Sequence, residues 1–351
     1  MGLGIDSNRE LVLGGYDRIL RLSDFDFPLP EELIAQEPLA ERSASRMLVV
    51  DRGRGTWEDR MFLEFPQFLS PGDCLVLNQS RVIPSRLLGQ RERGSGKVEV
   101  FLVKPVSDDG LTFQALVRPG RKMLSGERIV ISDELRLEIL AQGEFGERTV
   151  RLEPRGDLYE VLDRVGHVPL PPYIRRPDTA ADRERYQTVF SRERGSVAAP
   201  TAGLHFTPEI LAACRRQGAD IATVTLHVGL GTFQPLHTEV LEEVRLHSES
   251  FRIPPETIDA MDRAKRVVAV GTTSVRAIES DPGRDETSIF ISPGFQFQRT
   301  GALLTNFHLP KSSLLVLVAA LAGTELTLAA YQHAVAQKYR FFSYGDCMLI
   351  I

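Results

Sequence analysis

The chain has 351 residues, of which 42% are hydrophobic and 25% are charged, and its formal net charge is −5. These values are typical of a globular protein large enough for about two domains, and they exclude a low-complexity chain. The acidic balance gives no global sign of nucleic-acid binding, so any such activity depends on a local basic patch.

Cysteine usage and hydropathy indicate the compartment. Cys74, Cys214 and Cys347 lie far apart and form neither a CxxC motif nor a Cys/His pair, which argues against a disulfide framework. The longest apolar run, residues 314–322, is too short to cross a bilayer, and no basic-then-apolar signal pattern opens the chain. We therefore expect a cytoplasmic protein without a membrane partner.

The N-terminal part is expected to become ordered at residue 21. Residues 1–20 are irregular and contain several glycines, which is typical of a loosely held extension. Short helices are predicted over residues 30–35 and 65–69, and strands over residues 47–50 and 74–77.

Between residues 80 and 155 the chain consists of short alternating segments separated by Gly, Asp and Ser turns. This spacing is typical of a small antiparallel β-barrel or sandwich. The six predicted strands are residues 86–89, 97–104, 111–118, 127–132, 135–140 and 147–153. We interpret residues 80–155 as a β-barrel domain inserted into an α/β catalytic domain formed by residues 21–79 and 156–351.

The remainder of the chain alternates helices and strands. Thr207, Pro208 and Glu209 form a helix start, with a hydroxyl cap, a proline at the first position and an acid in the first turn. Helices are predicted over residues 158–165, 208–216, 255–265, 274–280, 311–322 and 325–338, and strands over residues 221–228, 267–270 and 288–291. This order predicts an α/β fold, a mixed sheet with helices on both faces, beside the inserted antiparallel barrel.

Two loops combine small residues and hydroxyls with one histidine each. They are GSVAAPTAGLHF, residues 195–206, which contains His205, and TLHVGLGTF, residues 225–233, which contains His227. Small residues let a ligand approach the backbone, and histidine exchanges protons near neutral pH. The loops are therefore candidate walls of a pocket for a polar small molecule. Alternatively, they are ordinary turns with core histidines.

Two further segments are candidate sites near helix starts. In VGTTSVR, residues 270–276, an apolar strand turns into a helix whose N–H groups and Arg276 can hold a carboxylate or phosphate. LTNFHLPKSS, residues 304–313, offers Asn306 and His308 for base reading or proton transfer, and Lys311 for an anion. The alternatives are a capped helix with a surface arginine and a loop histidine bonded to its neighbours.

Basic and aromatic residues alternate around residues 171–194, where Tyr173, Arg175 and Arg176 open the segment. Such a pattern can follow an RNA backbone and stack on a base, although the acidic residues mixed in are more typical of a solvated helix surface. The sequence contains no HExxH, HxxxH, GxxxxGK[ST] or GxSxG motif, so a metal site has no support.

These segments together resemble one family, the S-adenosylmethionine:tRNA ribosyltransferase-isomerases of queuosine biosynthesis. The resemblance runs from residue 21 to the end and departs at Phe190 and at residues 292–295, where the family commonly has tyrosines. Besides the loops above and residues 304–312, it rests on LSDFDF (residues 22–27), GDCLVLN (72–78), GHVPLPPYI (166–174), YQTVF (186–190) and YRFFSYGD (339–346).

The resemblance implies a reaction and its partners. S-adenosylmethionine, the co-substrate, would donate its ribosyl group to the 7-aminomethyl-7-deazaguanine base at the tRNA wobble position. Adenine and methionine would leave, and epoxyqueuosine would form. The family's fold, an α/β domain with an inserted barrel, agrees with the division above. The implied partner is the anticodon loop of queuosine-type tRNAs. We expect a monomer that needs no metal and no cofactor beyond the co-substrate.

This chemistry assigns roles to the candidate residues. Proton transfers require groups that switch between acid and base near pH 7, and we expect His205 and His227, with Thr201, to be catalytic. S-adenosylmethionine is expected to contact Thr225, Gly229, Gly231, Thr232, Thr272, Thr273, Ser274 and Arg276. The base or the tRNA is expected to contact Tyr173, Arg175, Arg176, Asn306, His308 and Lys311.

Two other functions are alternatives to this reaction, a methyltransferase and a non-catalytic RNA-binding module. A methyltransferase would need a GxGxG-like loop after a first strand, which this chain lacks, and it would form S-adenosylhomocysteine. A non-catalytic RNA-binding module would form no product. Release of free adenine from S-adenosylmethionine, on addition of tRNA that carries the precursor base, separates the three.

Overall fold

The computed structural model describes residues 19–94, 96–143, 146–229 and 238–351. Residues 1–18 of the expected extension lie outside these ranges. In chain order, the strands are β1 (Arg46–Asp51), β2 (Thr56–Met61), β3 (Asp73–Asn78), β4 (Ser80–Val82), β5 (Arg86–Arg91), β6 (Lys97–Pro105), β7 (Thr112–Arg118), β8 (Arg128–Val130), β9 (Leu135–Gln142), β10 (Glu147–Pro154), β11 (Glu193–Ser196), β12 (Asp220–Leu226), β13 (Glu249–Arg252), β14 (Arg266–Val270), β15 (Glu286–Thr287), β16 (Thr300–Asn306) and β17 (Cys347–Ile350). The helices are α1 (Leu158–Val165), α2 (Ala180–Arg185), α3 (Pro208–Arg216), α4 (Pro255–Arg263), α5 (Thr272–Ile278), α6 (Ser313–Ala322) and α7 (Thr324–Ala336).

The main sheet is mixed and has the strand order β15-β13-β12-β3-β14-β16-β17-β1-β2. At its centre, β12, β3, β14 and β16 are parallel neighbours. Because the carboxyl ends of parallel strands meet at one edge, the segments that follow Asn78, Leu226, Val270 and Asn306 lie along the same edge of the sheet. This is the edge where ligands bind in open α/β sheets.

Alternation of side chains divides the interior into two cores, one on each face of this sheet. In β14, Val267 and Ala269 pack into the core covered by α4, α5, α6 and α7, while Val268 and Val270 pack into the core covered by α3. Both faces of β14 are therefore buried, which explains why the strand is a continuous apolar run instead of an alternating one. The expected α/β fold with helices on both faces is confirmed.

Strands β5 to β10 form a closed antiparallel barrel with the order β10-β7-β6-β5-β8-β9. Along β7, Phe113, Ala115 and Val117 are buried in the barrel core, so the residues between them face outward. Helix α1 adds its apolar side to the same core. All six barrel strands that alternation predicts are present, and α1 has the predicted bounds.

The structure corrects several local predictions. The strand expected over residues 288–291 is wrong, because the only ladder contacts there are made by the preceding two residues, β15. The helices expected near residues 30 and 65 are short 3₁₀ helices, Glu31–Leu33 and Phe62–Phe68. Sequence patterns also missed β2, β4, β11, β13, β16, β17 and α2.

Within the described ranges, no single helix is long and apolar enough to cross a bilayer. Helices α6 and α7 meet the length and composition requirements only as a pair, and they are bent by 116° at the break between them.

Candidate active site

A cavity of about 1120 Å³ lies between the barrel and the carboxyl edge of the main sheet. Cavities that bind small molecules are usually about 300–1000 Å³, so this one can hold a nucleoside-sized ligand together with part of a second molecule. The barrel contributes Val103, Lys104, Pro105, Val106, Gln114, Leu116 and Glu147. The α/β domain contributes polar residues that include Arg194, His227, Glu243, Arg245, His247, Glu249, Arg276 and Glu286.

The segment after β12, residues 227–229, is held rigidly in the cavity wall. Each of its three backbone N–H groups has an acceptor: His227 donates to the carbonyl of Ser250 (3.0 Å), Val228 to Oγ of Ser196 (3.1 Å) and Gly229 to Oε1 of Glu249 (2.9 Å). The carbonyl of Val228 also accepts from the N–H of Val197 (3.1 Å). The two loops identified in the sequence, residues 195–206 and 225–233, are thus joined directly.

The imidazole of His227 packs on Gly195. Gly195 has φ of 140°, and a Cβ atom built there would lie 3.0 Å from Cε1 of His227. Only glycine fits both this backbone conformation and the closeness of the ring. Burial lowers the pKa of His227 below its ordinary value, while Glu193 acts in the opposite direction. Nδ1 of His227 is buried and has no hydrogen-bond partner among the described residues, and the lowered pKa favours the neutral ring, the form that accepts a proton.

Glu249 and Arg276 form a buried ion pair in the same wall. Their side chains are 5% and 7% exposed, and Oε2 of Glu249 accepts from Nη1 of Arg276 while Oε1 accepts from Gly229. Nε of Arg276 has no partner among the residues that the structure describes. The arginine is therefore fixed by Glu249 and keeps a buried donor, which favours an anionic ligand group.

Three other charged residues that line the cavity, Arg194, Arg245 and Glu286, are bonded to their neighbours. Arg194 forms an ion pair with Asp163 (2.9 Å), and its guanidinium carbon lies 5.4 Å from the ring centroid of Tyr159. Arg245 donates to backbone carbonyls, and Glu286 accepts from the hydroxyl of Ser248 (2.9 Å). The cavity wall is therefore mixed in charge, as a zwitterionic ligand requires.

His205 lies elsewhere, in the core covered by α3. It ends the 3₁₀ helix Thr201–His205, is 3% exposed and lines a small cavity of about 20 Å³, together with Ser45 and Tyr344. Its Nδ1 lies 2.8 Å from Oγ of Ser45 and its Nε2 lies 3.3 Å from Nδ2 of Asn306. Burial lowers the pKa of His205 to about 4. The structure thus does not place the two histidines in one cavity, contrary to the sequence-based expectation.

Asn306 and His308 are also internal. Asn306 is 1% exposed and donates to the carbonyl of Phe342 (3.0 Å). His308 bonds through Nε2 to Oγ1 of Thr305 (2.8 Å), and burial lowers its pKa to about 3. Both side chains brace the end of β16, which corresponds to the alternative interpretation of a histidine bonded to its neighbours.

The hydroxyl residues expected to contact the ligand lie at the same sheet edge but do not line the large cavity. Thr225 accepts from Nε2 of Gln79 (3.3 Å), and the hydroxyl of Ser274 donates to the carbonyl of Val270 (2.7 Å). Thr272 is buried, Thr201 is half-buried, and Oγ1 of Thr273 has no partner among the described residues. Gly231 and Thr232 lie outside the described residues.

The basic residues expected to contact tRNA are engaged within the chain. Arg175 pairs with Glu31 (3.0 Å), Arg176 binds Asp182 through two nitrogens (2.7 and 2.8 Å), and Lys311 pairs with Asp26 (2.7 Å). The hydroxyl of Tyr173 lies 2.6 Å from Oγ of Ser343, and burial raises its pKa to about 12. These groups join the N-terminal, central and C-terminal parts of the chain.

Of the predicted site residues, His227, Gly229 and Arg276 meet in the large cavity. Sequence reasoning missed Glu249, His247 and Arg245, because they occur in a short polar stretch without a recognisable motif. Within residues 19–94, 96–143, 146–229 and 238–351, no group of three or more His, Cys, Asp or Glu side chains is arranged to hold a metal ion.

The chain is similar to known proteins over nearly its whole length. The profile of the family described as "Queuosine biosynthesis protein" matches residues 22–350. The S-adenosylmethionine:tRNA ribosyltransferase-isomerase of Solibacter usitatus is 63% identical over 353 residues, covering 95% of this chain and 100% of that protein. The enzyme of the same name from Syntrophotalea carbinolica is 50% identical, with 95% and 100% covered. The crystal structure of S-adenosylmethionine tRNA ribosyltransferase from Thermotoga maritima has a TM-score of 0.52 at 38% identity, and the match covers 94% of this chain and 100% of that one.

Proposed function

Since the chain belongs to the S-adenosylmethionine:tRNA ribosyltransferase-isomerase family of queuosine biosynthesis, we propose that it converts a 7-aminomethyl-7-deazaguanine base at the tRNA wobble position to epoxyqueuosine. The ribosyl group of S-adenosylmethionine is transferred and isomerised, and adenine and methionine are released. The observation that carries the site assignment is the half-buried His227, whose backbone is fixed, beside the buried Glu249–Arg276 pair in a cavity between the two domains.

His227 is the proposed proton acceptor. The sulfonium of S-adenosylmethionine acidifies the adjacent C5′ protons, and a base must still remove one of them. A ring whose pKa is lowered by burial is neutral near pH 7 and is therefore in the form that accepts a proton. The resulting imidazolium carries the proton that the leaving adenine needs, and Glu193 favours this charged form.

Arg276 is the proposed partner of the methionine carboxylate. Its guanidinium is fixed by Glu249 and lines the cavity, so its remaining donors are preorganised for an anion. Glu243, which also lines the cavity, supplies negative charge that suits the sulfonium and the amino group of the same ligand. Gly229 has no side chain, so a ligand can approach it closely, and we propose that it contacts S-adenosylmethionine.

His205 is proposed to position residues instead of transferring protons to the substrate. Its ring nitrogens bond to Ser45 and Asn306, and the cavity beside it has a volume of about 20 Å³, roughly that of one water. The sequence predicted that Thr201 is catalytic and that Thr225, Thr272, Thr273 and Ser274 contact S-adenosylmethionine. Because none of the five lines the large cavity, we propose that they shape the sheet edge behind it. We infer a cytoplasmic location because the substrate is tRNA.

The test is a single-turnover assay of adenine release from S-adenosylmethionine with tRNA that carries the precursor base. Wild-type enzyme is expected to release adenine and methionine in equal amounts, and His227→Ala to lose on the order of 10²–10⁴-fold in rate. His333→Ala, which removes a half-buried histidine paired with Asp59 (2.9 Å) outside the cavity, serves as the control. Formation of S-adenosylhomocysteine, or no product at all, would overturn the reaction. A His227→Ala rate equal to that of wild type would overturn the base assignment alone.

A further inference from the structure

The outer surface of the barrel leads directly from the large cavity to a cluster of cations. Gln114 and Leu116 of β7 line the cavity, and the next outward position on the strand is Arg118. Side chains two residues apart on a strand lie roughly 7 Å apart on the same face. The antiparallel neighbour β6 presents side chains on the same outer face, because Phe101 pairs with Leu116 and Glu99 pairs with Arg118.

Four exposed cations follow beyond the cavity: Lys97, Arg118, Arg121 and Lys122. We call them the barrel cation strip. None of the four forms an ion pair with a carboxylate in the described part of the chain, whereas Arg136 and Arg151, which also lie on the barrel, do. Arg136 lies 3.5 Å from Glu92, and Arg151 lies 2.9 Å from Asp109.

Two residues of the strip, Arg121 and Lys122, lie on a loop whose backbone is held in place by hydrogen bonds. Arg148, which is 7% exposed, donates to the carbonyls of Met123 (2.8 Å) and Gly120 (2.7 Å). Met123 itself is fully buried in the barrel core. Arg121 and Lys122 therefore project from a backbone that the barrel interior holds in place, so little loop ordering is required when an anion binds.

Acidic groups close to the strip are already engaged. Glu99 binds Nε of Arg86 (2.6 Å), and Glu127 binds Arg91 through both carboxylate oxygens. Glu147 faces the cavity and accepts from Nε2 of Gln114 (3.3 Å). The strip thus keeps a local positive charge on a molecule whose net charge is −5.

We propose that the barrel cation strip binds the phosphates of the tRNA anticodon arm while the wobble base occupies the cavity. This inference rests on the proposed function. A single base that enters the cavity leaves its own strand and the adjoining stem outside, next to β6 and β7. Phosphate contacts of this kind set position and affinity without reading sequence.

The experiment measures binding of unmodified tRNA transcript at several salt concentrations. Arg118→Gln, Arg121→Gln and Lys122→Gln are combined in one variant. The matched control combines Arg136→Gln, Arg151→Gln and Arg164→Gln, three carboxylate-paired arginines. Both variants change the net charge equally. The strip variant is expected to bind about tenfold or more weakly at low salt, and to lower the slope of log K against log salt by about 2–3.

The control variant is expected to match wild type in both quantities, and S-adenosylmethionine binding is expected to be unchanged in all three proteins. Equal weakening in the two variants, or a strip variant with the wild-type salt slope, overturns the proposal. Single substitutions of the same residues, each expected to change the slope by about 0.7–0.9, repeat the test if the triple variant does not fold. Adenine release by wild type is measured separately, so failure of the proposed function is distinguishable from failure of this surface assignment.

Discussion

At the scale of residues, the two histidines of the glycine-rich loops differ in what surrounds them, not in their sequence context. His227 follows a strand, packs on Gly195 and faces a cavity of about 1120 Å³. His205 ends a 3₁₀ helix and has bonding partners for both ring nitrogens. A ring with a free nitrogen and access to a large cavity is suited to proton transfer, and a ring bonded on both sides is suited to holding structure.

Gly195→Ala is expected to displace His227 and to reduce the single-turnover rate roughly 10–100-fold, because a misplacement of about 1 Å is costly in catalysis. The added Cβ would lie 3.0 Å from Cε1 of the ring, and φ of 140° disfavours any residue with a side chain. Gly294→Ala is the control, since Gly294 also has positive φ (99°) but no atom within 4 Å of the added Cβ. If the two variants lose activity equally, backbone strain and not the histidine contact is responsible.

Glu249→Ala is expected to be both unstable and inactive. It leaves Arg276 buried without its partner, which costs about 3–5 kcal/mol of unfolding free energy, and it removes the acceptor of the Gly229 N–H group. Glu249→Gln keeps an oxygen for Gly229, so its rate should lie between those of Ala and wild type.

Urea denaturation and single-turnover adenine release measure these two effects. Glu286→Gln is the matched control, because it removes one negative charge from the cavity without touching residues 227–229. A Glu286→Gln variant as slow as Glu249→Gln would assign the effect to charge alone and not to the position of the loop.

At the scale of elements, the sequence predicted those strands and helices whose own residues show alternating burial or a helix cap. It did not predict strands that depend on tertiary pairing. The barrel strands were predicted because one face of each is buried and the other is exposed, as in β7. Helix α3 was predicted from its cap, and Thr207 does accept from the N–H of Ile210. Strands β4 and β11 have no such pattern, since they pair only with each other, and β13 is four residues long with Glu249 pointing into the site. The candidate site was therefore only partly predictable, because β13 supplies it through tertiary contacts.

The side chain of Asn78 supplies hydrogen bonds to backbone groups at the ends of two neighbouring strands, β3 and β12. Where β3 ends, Oδ1 of Asn78 accepts from the N–H groups of Leu226 and Ser80 (3.1 Å each), and Nδ2 donates to the carbonyl of Leu226 (3.0 Å). Asn78→Ala leaves these buried backbone groups without partners and is expected to lower the unfolding free energy by about 2–4 kcal/mol. Denaturant unfolding measures the loss, with Gln79→Ala, which removes a single 3.3 Å contact to Thr225, as the control. Equal stability of the two variants would contradict the bridging role of Asn78.

At the scale of the whole molecule, the proposed active site lies at the junction between the barrel and the α/β domain. The cavity takes one wall from β6, β7 and β10 and the other from the edge of the main sheet. Neither domain alone encloses it, so a ligand that fills the cavity contacts both. His205 and His308 are buried behind this junction. Burial lowers their pKa values, so both are neutral in the folded protein near pH 7. The free energy of unfolding therefore depends on pH.

The lowered pKa of His205 makes the free energy of unfolding depend on pH. Its pKa is lowered by burial to about 4, whereas an exposed histidine has a pKa of about 6.5. Between these values the unfolded chain binds a proton that the folded chain does not. The stabilisation is therefore fully present above pH 6.5 and is lost as pH falls toward 4. From pH 7 to 5, His205 alone is expected to lower the unfolding free energy by about 2 kcal/mol.

The measurement compares wild type with His205→Gln by denaturant unfolding at pH 7, 6 and 5. Asp346, whose pKa is raised by burial, acts in the opposite direction but is present in both proteins, so the difference between them isolates His205. Wild type is expected to lose more stability than the variant over this range, and His308→Gln should behave similarly because the pKa of His308 is lowered to about 3. Parallel pH profiles for wild type and His205→Gln would mean that His205 is protonated equally in the folded and unfolded chains. In that case it would not be a neutral group held by its bonds to Ser45 and Asn306, and its exclusion from proton transfer would lose its physical basis.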